Sequence, residues 1–203
     1  ILDPLEIIKN YGLDSLRYYL LKEVSFGNDG SISEEKLENC INSDLANNYG
    51  NLCQRVLSFT EKNCSSVIPK YKFNNEDLVI LNSVANLKKI RSYVDNQDIN
   101  QYMNFITESL FASNKYFNDQ EPWKKKNDIK RLNTIVYVAL ELIRKISIMI
   151  YPIIPQSSLK VLNIFGISEK EIDFESIENH KFLKSKNKIN SIEILFKKIE
   201  NND

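Results

Sequence analysis

The chain has few of the residues that interrupt or cross-link a fold: five glycines, five prolines and three cysteines among 203 residues. So few glycines and prolines leave long uninterrupted segments. The three cysteines, Cys40, Cys53 and Cys64, are odd in number and lack the paired Cys-x-x-Cys spacing, which argues against a disulfide framework and against a zinc site. We therefore expect reduced thiols, no metal site and a cytoplasmic setting.

The chain also lacks an excess of charge of either sign, because its 27 basic residues balance its 27 acidic residues. This balance argues against a non-specific duplex binder that gains affinity by neutralising many phosphates, so any contact with nucleic acid must be local. No charged lead is followed by a long apolar run, and we expect neither a signal peptide nor a membrane span. Because the chain begins Ile-Leu-Asp-Pro rather than with methionine, we interpret it as a piece of a longer soluble protein.

Residues suited to catalysis are equally scarce. His180 is the only histidine, lies in a polar C-terminal stretch and has no apparent partner for nucleophilic or metal chemistry. We expect it to be a surface histidine. The sequence has no glycine-rich phosphate cradle either, so it predicts no catalytic residue and no cofactor site in this chain.

Helix signals begin at the first residues. Asp3 and Pro4 predict a helix start, and a second short helix is predicted over residues 14–21. A turn-rich loop, FGNDGS at 26–31, follows. Ser33 then caps a helix of about seven turns, whose apolar positions recur every three or four residues: Leu37, Ile41, Leu45, Tyr49, Leu52, Val56 and Phe59.

Further helical periodicity covers residues 76–94, 98–118, 128–151 and 156–164. The alternation of a half-buried strand appears nowhere at length, so the predicted fold class is an all-α antiparallel helix bundle. Beyond Ser168 the chain is polar apart from one apolar cluster at 192–196, and we expect an irregular tail there. The core candidates of the later helices are Leu78, Leu81, Ala85, Tyr102, Phe105, Ser109, Leu132, Val136, Leu140 and Ile143.

A polar stripe interrupts the apolar pattern of the long helix. Asn47, Asn51 and Arg55 recur every four residues within NSDLANNYGNLCQR, and at roughly 100° per residue they drift from the solvent side to the edge of the packed face. Asparagine both donates and accepts hydrogen bonds, and arginine presents a planar fork of donors, so such a row suits an unpaired base edge. The alternative is a row of ordinary solvated helix residues.

A second candidate feature is Trp123, the only tryptophan, at the end of NKYFNDQEPW. It follows Pro122 at a predicted loop-to-helix junction and precedes three lysines at 124–126. An aromatic ring beside a run of lysines fits base stacking combined with attraction for the nucleic-acid backbone. The alternative is a core tryptophan that anchors the loop, next to a solvated lysine face.

Four segments, in the order in which the family has them, resemble the C-terminal half of methionyl-tRNA synthetases. They are DPLEIIKNYGLDSLRYYLLKEVSFGNDGSIS, NSDLANNYGNLCQR, NKYFNDQEPW and an apolar helix ending in RKISIMIYPIIP. The resemblance covers nearly the whole chain, through ILFKKIE, which looks like a diverged form of the closing motif of the family. It implies a class I synthetase helix bundle that binds the methionine anticodon, CAU.

The resemblance also implies roles and boundaries. Trp123 would stack on the first anticodon base, Asn51 and Arg55 would read base edges, Asn47 would line the same groove, and Pro122 matches its motif position. Residues 1–32 would be a connecting segment after the catalytic domain, residues 33–167 the anticodon-binding bundle and residues 168–203 the tail.

The complete enzymes of this family ligate methionine to initiator and elongator tRNA with ATP and magnesium. The HIGH-type and KMSKS-type motifs that bind ATP are absent from this sequence, so the resemblance implies a catalytically silent chain whose partners are methionine tRNA and its own catalytic domain. Two alternatives stay open: the anticodon domain of another class I synthetase, such as the cysteinyl or leucyl enzyme, and a helical protein-interaction module in which the stripe is plain surface.

Overall fold

The computed structural model describes residues 3–23, 32–191 and 193–200. Within these ranges the chain is helical, without strands, which confirms the predicted all-α bundle. Three short 3-10 turns lie at Pro122–Lys124, Glu169–Glu171 and Glu175–Glu178. The helices are α1 (Pro4–Tyr11), α2 (Leu13–Glu23), α3 (Glu34–Cys40), a π-helical segment (Ile41–Gly50), α4 (Asn51–Cys64), α5 (Asn75–Val84), α6 (Leu87–Asp95), α7 (Ile99–Gln120), α8 (Ile129–Ile150) and α9 (Pro155–Ile164).

Helix α8 lies at the centre of the bundle. Every residue from Thr134 to Ile150 is buried, and α8 packs against α4, α5, α7 and α9. A helix that is enclosed on all sides needs apolar residues around its whole circumference, and the predicted core residues of α7 and α8 are all buried. None of the described helices is long and apolar enough to cross a bilayer.

Short polar side chains set the helix starts where the sequence predicts them. Asp3, Ser33, Asp98 and Asp128 each accept a hydrogen bond from a backbone N–H in the first turn of the helix that follows. These bonds satisfy donors that the first turn of a helix leaves without partners.

The predicted single helix over 76–94 is wrong, because the chain breaks there into α5 and α6. The side chain of Asn86 accepts a hydrogen bond from the N–H of Lys89 and so caps a new helix. Leu78 is also not a core residue, since 38% of it is exposed. The buried face of α5 runs through Asp77, Leu81 and Val84, at spacings that leave the neighbouring Leu78 outside.

The long helix after Ser33 is continuous from Glu34 to Cys64, but its middle turns are π-helical over Ile41–Gly50. Its predicted core positions are buried from Leu37 to Val56, and Phe59 is half-buried. The first four of them are spaced by four residues each time, whereas an α-helix needs a mixture of three and four. The wider i to i+5 turn of a π-helix matches that longer spacing.

The irregular tail is nevertheless packed. Ile177, Leu183 and Ile189 are buried, and the tail meets the loop after α4 in one antiparallel bridge, between Val67 and Lys188. We expected His180 to be a surface histidine, but it is half-buried, and its Nε2 lies 2.8 Å from Oδ1 of Asn82. The predicted loop at 26–31 and Ile192 of the predicted apolar cluster lie outside the described residues.

Three fully buried charges on α8 fasten the tail to the bundle. Glu141 accepts the N–H of Leu183 at 2.7 Å and the Nε–H of Arg144 at 2.8 Å. Arg144 donates to the carbonyl of Asn179 at 3.0 Å, and Lys145 donates to the same carbonyl at 2.9 Å. Burial lowers the pKa of Lys145 from its ordinary 10.5 to about 7; the charge of Arg144 also lowers it, while Glu141 opposes the shift.

We expect the stability that Lys145 contributes to rise with pH. Between pH 7 and its ordinary pKa the unfolded chain holds a proton that the folded chain lacks, so the free energy of unfolding increases through this window. Relative to Lys145→Met, the parent should gain about 2 kcal/mol between pH 7 and pH 9 in urea unfolding. A parent that gains no stability relative to the variant as the pH rises, or that loses stability relative to it, would contradict the assignment.

Candidate nucleic-acid interface

The polar stripe occupies the middle of the central helix. Asn47 lies in the π-helical segment and is exposed, whereas Asn51 and Arg55 lie in the first turns of α4 and are half-buried. Asn47 is therefore the most exposed residue of the stripe, and Arg55 reaches the neighbouring helix α7. Its Nη2 donates a hydrogen bond of 2.6 Å to Oδ1 of Asn118 on α7.

One phenylalanine ring connects the stripe with the tryptophan. The guanidinium carbon of Arg55 lies 5.6 Å from the ring centroid of Phe117, a distance at which a cation is attracted to the ring. The indole of Trp123 packs edge-on against the same ring, with 6.1 Å between centroids and 70° between planes. Phe59 makes a further edge contact with Phe117 at 5.8 Å. Arg55 and Trp123 therefore meet around a shared aromatic ring.

Trp123 is partly open to solvent, with 40% of the residue exposed. Pro122 beside it is buried, and the junction begins at Glu121, whose φ of 45° ends α7 in the left-handed region. Proline then starts the 3-10 turn Pro122–Lys124, as its fixed φ favours. The turn thus presents an indole whose ring packs on Phe117 while a large part of it stays accessible.

A buried carboxylate holds the two ends of this junction together. Asp77 on α5 accepts two hydrogen bonds from Arg131 of α8, at 2.7 Å and 3.0 Å, and one from the hydroxyl of Tyr116 of α7 at 2.6 Å. Arg131 also donates to Gln120 at 2.6 Å. Burial and the bond to Asp77 raise the pKa of Tyr116, so its phenol stays protonated and donates.

Asn47 and Asn51 line a groove that is separate from the contacts around Phe117, and Asn51 lies one helical turn from Arg55. This groove has a volume of about 280 Å³, and Gln54 and the tail residues Leu195 and Phe196 also line it. The five predicted site residues therefore do not share a single cavity. Asn47 and Asn51 face the tail, Arg55 and Trp123 meet at Phe117, and the one-turn spacing of Asn51 and Arg55 on α4 joins the two parts.

The tail reaches this groove because Asn42 holds it. The side chain of Asn42 donates to the carbonyl of Ile199 at 2.9 Å and accepts its N–H at 2.8 Å. Gly50 is required by the π-helical segment rather than by the tail, since a Cβ there would lie 2.9 Å from the carbonyl oxygen of Leu45 in the same segment, nearer than an unbonded carbon can approach.

Positive charge is concentrated next to the tryptophan. Lys124 pairs with Glu121 at 2.7 Å, but both side chains are well exposed and such pairs contribute little. No ion pair in the described ranges engages Lys125 or Lys126, which remain available to a phosphate.

Cys40 and Cys64 are not nucleophiles, because burial raises their thiol pKa values to about 12 and about 11.

Sequence reasoning missed Phe117, Asn118 and Asp77 as parts of this region. Phe117 and Asn118 lie within the quoted NKYFNDQEPW segment, but their roles depend on α4, which is distant in sequence. Asp77 shows a local signal only as the third residue of a capping box with Asn74. That pattern predicts a helix start and gives no sign of the contact with Arg131.

Two family models match the chain. Residues 70–203 match the anticodon binding domain of methionyl tRNA ligase, and residues 1–57 match tRNA synthetases class I (M). The first match covers all the elements from α5 to the tail, including the junction with Trp123. The second covers α1 to α3 and the polar stripe.

Curated relatives agree with both matches. The methionine–tRNA ligase of Brucella suis biovar 1 (strain 1330) is 41% identical over 180 residues, which is 87% of this chain and 35% of the relative. The enzyme of Caldanaerobacter subterraneus subsp. tengcongensis is 37% identical over 205 residues, which is 98% of this chain and 32% of the relative. The chain thus spans about a third of the length of these relatives.

Solved structures show the same arrangement of helices. The apo form of Mycobacterium tuberculosis methionyl-tRNA synthetase superposes with a TM-score of 0.91 at 32% identity, covering 98% of this chain and 41% of that protein. Its complex with methionyl-adenylate gives a TM-score of 0.90 at 33% identity, covering 97% and 40%. With a family match over residues 70–203 and relatives of this similarity, the chain belongs to the methionyl-tRNA ligase family, where it corresponds to the anticodon-binding region.

Proposed function

We propose that this chain recognises the CAU anticodon of methionine tRNA through Asn47, Asn51, Arg55, Pro122 and Trp123. The observation that carries the proposal is the meeting of Arg55 and Trp123 around Phe117. A hydrogen-bonding group and a partly exposed aromatic ring contact the same phenylalanine there, and this combination suits a base flipped out of a single-stranded loop.

Three of these side chains have distinct roles in this proposal. The indole of Trp123 stacks on one face of an unpaired base, which contributes about 1–3 kcal/mol. Arg55 uses Nη2 to bind Asn118, which fixes the plane of the guanidinium and leaves further N–H groups for a base edge or phosphate. The amide of Asn51 offers both a donor and an acceptor one turn away, so two neighbouring bases can be read.

The groove beside the tail extends the same surface. Asn47 and Asn51 line it together with Lys198, so the amides that read bases would have a cation beside them for the tRNA backbone. The chain as a whole has no net charge, which suits local contact with one loop rather than extended binding to a nucleic-acid backbone.

The complete protein, on this proposal, ligates methionine to initiator and elongator tRNA in the cytoplasm, using ATP and magnesium. Its relatives are named methionine–tRNA ligases, but this chain covers about a third of them. The described residues contain no cluster of metal-binding side chains. On this proposal both cofactors belong to the part of the relatives' length that this chain does not span.

We propose the division of the chain that the resemblance implies, in which α2 belongs to the connecting segment although it also packs against α7 and α9. Helices α3 and α4 belong with the bundle of residues 33–167, because α4 packs against α7 and α8. Residues 1–32 then form the connecting segment toward the catalytic domain, and residues 168–203 form the tail. The family models divide the chain elsewhere, between residues 57 and 70.

We expect Trp123→Ala to weaken binding of a CAU anticodon stem-loop roughly 5- to 150-fold, because the stacking energy of one base is lost. Binding would be measured with a labelled stem-loop and helical content by circular dichroism, which should not change because much of the ring lies outside the core. Phe111→Ala is the matched control, since Phe111 is another exposed aromatic residue on the bundle. Equal affinity of the Trp123 variant and the parent would refute the proposed site.

Arg55→Lys should reduce discrimination while keeping the charge. A lysine retains attraction for phosphate but has no planar fork, so affinity for CAU should fall about tenfold while affinity for anticodon-swapped loops changes little. Arg91→Lys provides the control, because Arg91 is an exposed arginine on α6. If both loops weaken equally, Arg55 contributes only charge and does not read a base.

Competition among stem-loops distinguishes the proposal from the alternative of another class I synthetase. The unmodified chain should prefer CAU over every other anticodon on the same stem. A preference for a cysteine or leucine anticodon would replace the methionine assignment while leaving the binding surface intact.

A further inference from the structure

Asp77 lies outside the surface that would touch RNA, and none of it is exposed. Each of its carboxylate oxygens accepts two hydrogen bonds. Oδ1 accepts from Tyr116 and from one Arg131 nitrogen, and Oδ2 accepts from the other Arg131 nitrogen and from the N–H of Asn74 at 2.9 Å. A carboxylate with this number of charge-assisted bonds is held in a single orientation.

The partners of Asp77 lie at both ends of the segment that carries Trp123. Tyr116 and Gln120 belong to the last turns of α7, and Arg131 belongs to the first turn of α8. Arg131 bonds to both Asp77 and Gln120, so the end of α7 and the start of α8 are tied to one point on α5. The connection over residues 121–128 therefore has both ends fixed.

Within that connection the hydrogen bonds are local. Lys124 donates its N–H to the carbonyl of Glu121, Lys125 to that of Pro122, and Asp128 to that of Lys125. The turn therefore takes its direction from its two ends. Phe117, on which the indole packs, directly follows Tyr116 in the chain, so the bond from Tyr116 to Asp77 also sets the position of that ring.

We propose that Asp77 is a positioning residue for base recognition, which orients Trp123 through Arg131 and Tyr116. This inference rests on the proposed anticodon site. Removing the charge of Asp77 leaves the largely buried guanidinium of Arg131 without its partner. The bond from Arg131 to Gln120 remains, but the ends of α7 and α8 lose their common anchor on α5, and the indole loses its fixed angle on Phe117.

The test is a double-mutant cycle on the whole chain with a labelled CAU stem-loop, using Asp77→Asn, Trp123→Ala and the double variant. Asp77→Asn should weaken binding roughly fivefold or more in the parent, since part of the stacking energy is lost. In the Trp123→Ala background the same substitution should cost nothing further, because the group on which it acts is absent.

Tryptophan emission provides a second readout, because Trp123 is the only tryptophan. Asp77→Asn should shift its emission to longer wavelength and increase quenching by acrylamide. Glu141→Gln is the matched control: Glu141 is also a fully buried carboxylate paired with an arginine, but it lies under the tail. That variant should lower stability and leave the emission of Trp123 unchanged.

The outcomes separate the two proposals. If Trp123→Ala does not weaken binding, the anticodon site itself is wrong. If it does, but Asp77→Asn has no effect or costs the same in both backgrounds, Asp77 only stabilises the fold and the positioning role is refuted. Should Asp77→Asn fail to fold, Arg131→Lys replaces it in the cycle with the same expectations, because a lysine keeps the charge but cannot bind both oxygens in the same geometry.

Discussion

The packing of three elements on the ring of Phe117 is the contact on which the candidate site depends. Arg55 comes from α4, Phe117 from α7 and Trp123 from the junction before α8, and each is far from at least one of the others in sequence. The ring contacts the guanidinium of Arg55 and packs edge-on with the indole of Trp123. Without it, the polar stripe and the tryptophan would be separate features of the surface.

Two buried clusters of charged residues hold irregular segments of the chain against the helices. Asp77 with Arg131 ties α5, α7 and α8 together beneath the junction, and Glu141 with Arg144 and Lys145 ties the tail to the middle of α8. Buried ion pairs add little net stability compared with apolar packing, but a single missing partner is costly. Their effect here is to fix segments that have little regular structure of their own: the 121–128 connection and the part of the tail at 176–183.

The sequence predicts those parts of the molecule that depend on neighbouring residues. Caps such as Ser33 and Asp128 act within one turn, and the spacing of Leu132, Val136 and Leu140 follows from one helical face, so both were predicted correctly. The break at Asn86 and the π-helical turns at 41–50 were missed, although evenly spaced steps of four from Leu37 to Tyr49 were a visible signal. The contacts of Phe117 and Asp77 could not be predicted, because they depend on the packing of helices that are distant in the chain.

The most direct test of the account is a fluorescence titration of the chain with anticodon stem-loops that differ only in the anticodon. A base stacked on the only tryptophan changes its emission, so CAU should cause saturable quenching at lower concentration than any swapped loop. Anisotropy of the labelled RNA in the same samples reports binding independently. RNA that binds without changing the emission of Trp123, or that quenches it equally whatever the anticodon, would contradict the claim that Trp123 and Arg55 form a base-reading site.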